Sequence, residues 1–245
     1  MKIVCFGPGP KFKGGIANYN TSLAKAFDKA GHETYIVSWT QQYPAIIPRD
    51  FIDRKSKFDQ LEGTNIQVLY LTNYNNPFSW FTTVKAIKAL AADVVIFQWA
   101  IAIQGLPLSQ IASGLKKSGI LVIFDLHFVI QKEQSALDLR LTKMAIKNAD
   151  LYVTHALKTY HELEELFPEK KFSLSNQIKS NDEIPVINLF HPVYDMFSVR
   201  KDFDVASFKK EQGLKQYVFL FFGFIRKYKG LHNAIQAFKL LVDQR

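Results

Sequence analysis

Three cations fall within four residues in FFGFIRKYKGL, where Arg226, Lys227 and Lys229 stand between an apolar run and an amphipathic segment. Like charges at that spacing repel one another. A solvated turn is one outcome; a bound diphosphate is the other, and it would also meet the amides that open the following segment. A second stretch of this character lies near the other end of the chain. In GPGPKFKGGIAN, Gly14 and Gly15 let a ligand approach the backbone, Lys11 and Lys13 add positive charge, and the helix opening at Ile16 has no Ser, Thr, Asp or Asn immediately before it. Unused amides at a helix start favour an anion, although a tight turn alone also accounts for two glycines. Gly14, Gly15, Arg226 and Lys229 are therefore the candidate residues of a two-sided phosphate clamp.

Polar residues that interrupt apolar segments form the second set. In IFDLHFVIQKE these are Asp125 and His127, and in FQWAIAIQG they are Gln98, Trp99 and Gln104. Such groups need partners or a task. His127 satisfied by local backbone is one reading, and a role at a site is the other. Gln98 and Trp99 are acceptor-side candidates for a sugar or another polar acceptor, with Trp99 as plain core the alternative. The six histidines show no HExxH spacing and the lone Cys5 adds no ligand cluster, so no metal is expected. A nicotinamide site is disfavoured. The fingerprint GxGxxG would need glycine where Phe12 stands, and the second apolar strand ends IVSWTQQ, without the acid that would hold a ribose. HELEELFPEKK reads as a charged helix face.

The elements that must position these residues alternate. Apolar runs at Met1–Gly7, HETYIVSW, NIQVLYL, DVVIFQW, ILVIFDLH, DLYVTHA and PVINLFHP read as strands. Between most of them lie segments of helical period, such as Ile16–Ala30, PFSWFTTVKAIKALA and QSALDLRLTKMAIKNA. Strands separated by helices imply parallel crossovers, and the expected fold is α/β, a Rossmann-like doubly wound parallel sheet. The run Tyr217–Phe222 and the helical pattern of Leu231, Ala234, Ile235, Phe238 and Leu241 predict the first β-α unit of a second Rossmann-like domain. The expected organisation is an acceptor-side domain over 1–197, a connection over 198–215, and the start of a second domain over 216–245. One β-α unit cannot bury its own faces, so the domain is expected to continue past Arg245.

Bulk properties narrow the classes. The chain has 245 residues, 48% of them hydrophobic, and a formal net charge of +9. Residues 200–245 hold ten Lys and Arg against four Asp and Glu, while residues 1–199 hold 21 against 18, so the positive charge gathers at the carboxyl-terminal end. A single cysteine excludes an internal disulfide and fits a reducing compartment. KIVCF is too short for the apolar core of a signal peptide, and no run approaches the roughly 20 apolar residues of a membrane span. A cytoplasmic protein is expected.

At this point the residues resemble a known family, the retaining, nucleotide-sugar-dependent glycosyltransferases of the GT-B fold (glycosyltransferase group 1 class, family 4-like). FFGFIRKYKGLHNAIQAF is similar to the opening of their donor-binding domain, and GGIANY, IFDLHFVIQKE and LFHPVYDMF resemble family segments in the same order. The resemblance implies transfer of a sugar from a nucleotide-diphosphate donor to an acceptor glycan, lipid-linked saccharide or small molecule, with retention and without a cofactor or bound metal. It makes Arg226 and Lys229 the pair that neutralises the donor diphosphate, Gly15 part of the loop that approaches it, and His127 a catalytic histidine near the reacting sugar. Phe224 stands where many members carry the arginine, and Phe128 where an Asp or Asn is common. The family's paired glutamates do not occur in the donor-side segment, so residues 1–245 alone are expected to be inactive.

Other classes remain open. A non-catalytic basic binding module and a different nucleotide-binding Rossmann enzyme are the alternatives. No zinc-finger spacing, recognition helix or aromatic-basic RNA signature occurs, so nucleic acid is not an expected partner. Aromatics such as Trp80 and Phe81 would either pack in the core or rest on an anionic membrane, giving a peripheral location at its inner face.

Overall fold

The strands KIVCF and VVIFQW are apolar on both faces because helices cover both sides of the sheet they enter. The computed structural model describes residues 1–44, 46, 51–54, 59–130, 135–175, 180–193, 201–223, 225 and 227–244. These fall into two compact units, Met1–Tyr194 and Asp195–Arg245. The expected boundary at 197 lies outside the described residues.

In the first unit the strands are β1 (Lys2–Phe6), β2 (Glu33–Gln41), β3 (Gln67–Asn73), β4 (Val94–Trp99), β5 (Leu121–Leu126), β6 (Leu151–Thr154), β7 (Phe172–Leu174) and β8 (Ile184–Asn188). The helices are α1 (Gly15–Lys29), α2 (Pro77–Ala89), α3 (Gly105–Lys116), α4 (Ala136–Ile146) and α5 (Leu157–Leu166). All strand pairs are parallel, in the order β3-β2-β1-β4-β5-β6-β8-β7. This is the expected Rossmann-like doubly wound sheet. It is one strand larger than the sequence predicts, because β7 is a three-residue edge strand too short to show alternation.

The order reverses between β1 and β4. Connections from β1 run outward through α1 to β2, whereas those from β3 run through α2, α3 and α4 the other way, and right-handed crossovers then place α1 on one face and α2–α4 on the other. Ile3, Cys5, Ala24, Ile36, Val94 and Ile96 form the core under α1. The opposite core is larger, and Phe6, Phe97 and Phe124 are register neighbours across it, with ring centroids 4.9 and 5.0 Å apart.

The second unit contains α6 (Val205–Glu211) and α7 (Leu231–Asp243). Helix α6, inside the segment expected as a connection, is capped by Asp204, whose carboxylate accepts from the amides of Ala206 and Ser207. Helix α7 forms where its apolar period places it. The strand expected over Tyr217–Phe222 does not form: a strand needs a ladder partner, and none pairs with it among the described residues. No described helix is long and apolar enough to cross a membrane.

Candidate active site

The carboxyl edge of the sheet turns polar on its α1 face, in the same two-residue rhythm that builds the core below. Along β4, Ile96 is followed two residues later by Gln98. Along β5, Ile123 leads to Asp125 and then His127. Along β6, Val153 leads to His155, and beyond β8 the same count reaches His191. Successive side chains of a strand point to opposite faces, so Gln98 and Asp125 lie on one side, and His127, His155 and His191 stand just past the ends of β5, β6 and β8. Gln98 and Asp125 are register partners on adjacent strands. They sit beside the reversal of strand order, where open α/β sheets hold their ligands.

Tyr19, one helical turn past Gly15, is the hub of the cluster. Its ring meets His127 at 4.9 Å, His155 at 5.3 Å and His191 at 5.6 Å between centroids. His127 and His155 stack at 5.4 Å with 17° between planes. The Nε2 of His127 donates to Oε1 of Gln98 at 2.8 Å, and the Nε2 of His155 donates to the carboxylate of Asp125 at 2.7 Å. Burial holds the His127 imidazole down at about 4; Asp125 opposes that shift, and His155 and His191 reinforce it. His127 is thus neutral at pH 7, with Nδ1 as a lone-pair acceptor.

Several buried polar atoms here have no partner among the described residues: Nε2 of Gln98, Nδ1 of His155 and Oδ1 of Asn20. Such atoms are rare in folded proteins and mark functional or strained places. Among the described residues no three His, Cys, Asp or Glu side chains are arranged to hold a metal ion.

The first glycine loop closes over this cluster. A Cβ at Gly7 would lie 2.8 Å from Cγ of Gln98, so the loop packs directly on that side chain. The Asn20 amide donates to the Pro8 carbonyl at 3.3 Å. Helix α1 starts from Gly14 at φ 117°, with no side-chain cap, and its first turn carries Tyr19 to the histidines. Gly14, Gly15, Gln98 and His127 are thereby brought to one edge. Lys11, expected to favour phosphate, instead lays its ammonium 3.6 Å from the centroid of the Tyr70 ring.

Trp99 is not brought there. Its neighbour Gln98 faces α1, so Trp99 faces the opposite core, where it is 1% exposed. It packs into that core. Lys229 belongs to the second unit, where its Nζ lies 3.0 Å from the position of a Cβ on Gly223. Arg226 lies outside the described residues. The sequence reading missed Tyr19, His155 and His191. Counting in twos from the apolar core of each strand finds both histidines; Tyr19 has no comparable signal.

A family model described as Glycosyltransferase Family 4 matches residues 13–174, about two thirds of the chain. No curated protein matches the sequence significantly. Among solved structures, an alpha-glucosyltransferase in complex with UDP is 18% identical with a TM-score of 0.47, over 77% of this chain and 43% of that one. HepE from Anabaena in complex with UDP is 12% identical with a TM-score of 0.49, over 87% and 50%. An alpha-glucosyltransferase with UDP-glucose and DNA containing an abasic site is 18% identical with a TM-score of 0.43, over 69% and 40%. The chain spans half or less of the length of these structures.

Proposed function

The chain belongs to glycosyltransferase family 4, and from that premise we propose that the protein moves a sugar from a nucleoside-diphosphate donor to an acceptor glycan or lipid-linked saccharide, with retention at the anomeric carbon. The observation that carries the reading is the neutral His127, held by Gln98 beside the uncapped start of α1 at the point where the strand order reverses.

A neutral imidazole is no proton source at pH 7. With Nε2–H committed to Gln98, the Nδ1 of His127 accepts a hydrogen bond from a hydroxyl of the bound sugar and orients it. Departure of a nucleoside diphosphate builds negative charge on the leaving oxygen. This reading assigns that charge to the ammonium of Lys229, with Arg226 beside Lys229 in sequence. Neither a resident cofactor nor a metal is required by this assignment.

The test is transfer of a labelled sugar from a panel of nucleoside-diphosphate sugars by the full-length protein. Acceptor-dependent release of the nucleoside diphosphate supports the reading, and Lys229→Ala then lowers turnover by about 10²–10³. A full-length protein that neither binds nor turns over any of these donors refutes it.

A further inference from the structure

We propose that the outer face of the layer formed by α2, α3 and α4 docks on an anionic lipid bilayer, with Phe78 and Phe81 as the inserting side chains. On α2, Trp80, Thr83 and Ile87 are buried and mark the side that meets the protein. The Trp80 indole donates to the Asn73 carbonyl at 2.7 Å, which removes it from the aromatics expected at a membrane. At about 100° per residue, Phe78, Phe81, Lys85 and Lys88 fall within one sector of about 80° on the opposite side. Phe78 is 83% and Phe81 72% exposed, and both lysines are exposed.

Charge selects the occupant. Across the three helices, Lys85, Lys88, Lys116, Arg140 and Lys143 stand against one acid, Asp138, which is engaged in the Ser135 capping box. Lys116 pairs with Asp150 and Lys143 with Glu169, whereas Lys85, Lys88 and Arg140 have no ion pair among the described residues. Two aromatics followed by lysines on one convex stripe form an interfacial pattern, in which rings enter the headgroup region and cations meet lipid phosphates. A protein partner is the weaker match, because lysine is depleted from protein interfaces.

The direction of the helices gives the docking a use. Helices α2, α3 and α4 return antiparallel to the strands, so each begins at the carboxyl edge that carries His127. Phe78 and Phe81 lie in the first turns of α2, and Leu106 and Leu137, also exposed, open α3 and α4. A bilayer held there presents headgroups to the same edge, where an acceptor with a lipid tail would be met. Only this last step rests on the transferase reading.

The test is cosedimentation of the chain with vesicles of equimolar phosphatidylglycerol and phosphatidylcholine, against vesicles of phosphatidylcholine alone. Binding to the anionic vesicles only is expected. Phe78→Ser with Phe81→Ser weakens it by about tenfold or more, and each of Lys85→Glu and Lys88→Glu by roughly fivefold or more, without change in the circular dichroism spectrum. Absence of binding to the anionic vesicles, equal binding to both kinds, or binding that survives these substitutions overturns the proposal. Failure here leaves donor turnover untouched, and failure of donor turnover leaves vesicle binding untouched, so the two readings fall separately.

Discussion

Oε1 of Gln98 lies 2.8 Å from Nε2 of His127, and that contact fixes which ring nitrogen is left for a ligand. The amide offers His127 an acceptor without a negative charge, so burial dominates and the imidazole stays neutral. Gln98→Glu replaces the amide by a carboxylate of the same shape. An opposite charge at this distance favours the imidazolium, and the His127 pKa rises from about 4 by roughly one to three units. The measurement is a proton NMR titration of the His127 ring. An unmoved titration would show that the two side chains are apart in solution.

The depressed His127 pKa couples folding to pH. In the unfolded chain the ring titrates near its ordinary 6.5, whereas in the folded chain it does so at about 4. Between those values the unfolded chain holds a proton that the folded one does not, so stability falls as pH drops from 6.5 towards 4. The loss is at most about 3 kcal/mol, and this group adds no slope above 6.5 or below 4. The groups facing the ring are Gln98, Asp125, His155, His191 and Tyr19. Urea unfolding across this range should show the slope in the wild type and its reduction in His127→Gln; equal slopes in both would remove His127 as the cause.

Asp125 and His155 form a second buried pair, 2.7 Å apart and nearly closed to solvent. Removing the carboxylate strands the His155 Nε2–H beside an Nδ1 that already lacks a partner among the described residues. Asp125→Ala is expected to cost roughly 3 kcal/mol. Asp125→Asn keeps an acceptor oxygen and should cost about 1 kcal/mol. Denaturant midpoints of the two variants check the ordering, and equal losses would mean that the hydrogen bond is not what matters at this position.

The sheet was legible because β1, β2, β4 and β5 are apolar on both faces, a pattern that only a covered parallel sheet explains. Gly14 and Gly15 stood out as the turn that precedes a helical period, and His127 as a polar residue where an apolar run ends. Gln98 and Trp99, named together in the sequence, face opposite ways, because adjacent strand residues alternate: Gln98 faces α1 and Trp99 the opposite core. His155 and His191 were missed as single polar residues at strand ends, which gain meaning only when parity is counted across strands that the sequence does not align. The run Tyr217–Phe222 shows the converse limit. Its apolar character is that of a strand, but pairing depends on a neighbour, and composition cannot supply one.

Two glycines of the first loop are needed for different reasons, and substitution separates them. Gly14 holds φ 117° with nothing within 4 Å of where a Cβ would stand. Gly14→Ala therefore meets backbone strain alone, of about 1–3 kcal/mol. Gly7 lies under no such dihedral constraint, but a Cβ there would reach Cγ and Cβ of Gln98 at 2.8 and 2.9 Å. These atoms lie near the Gln98 backbone and cannot swing clear, so Gly7→Ala must displace the side chain itself, at about 1–3 kcal/mol. Both variants lose similar stability, yet only Gly7→Ala disturbs the contact that orients His127. An NMR titration of His127 in each variant decides the matter: a shift in Gly7→Ala and none in Gly14→Ala is expected. The reverse pattern would place the control of His127 in the start of α1 and not in the packing of the first loop on Gln98.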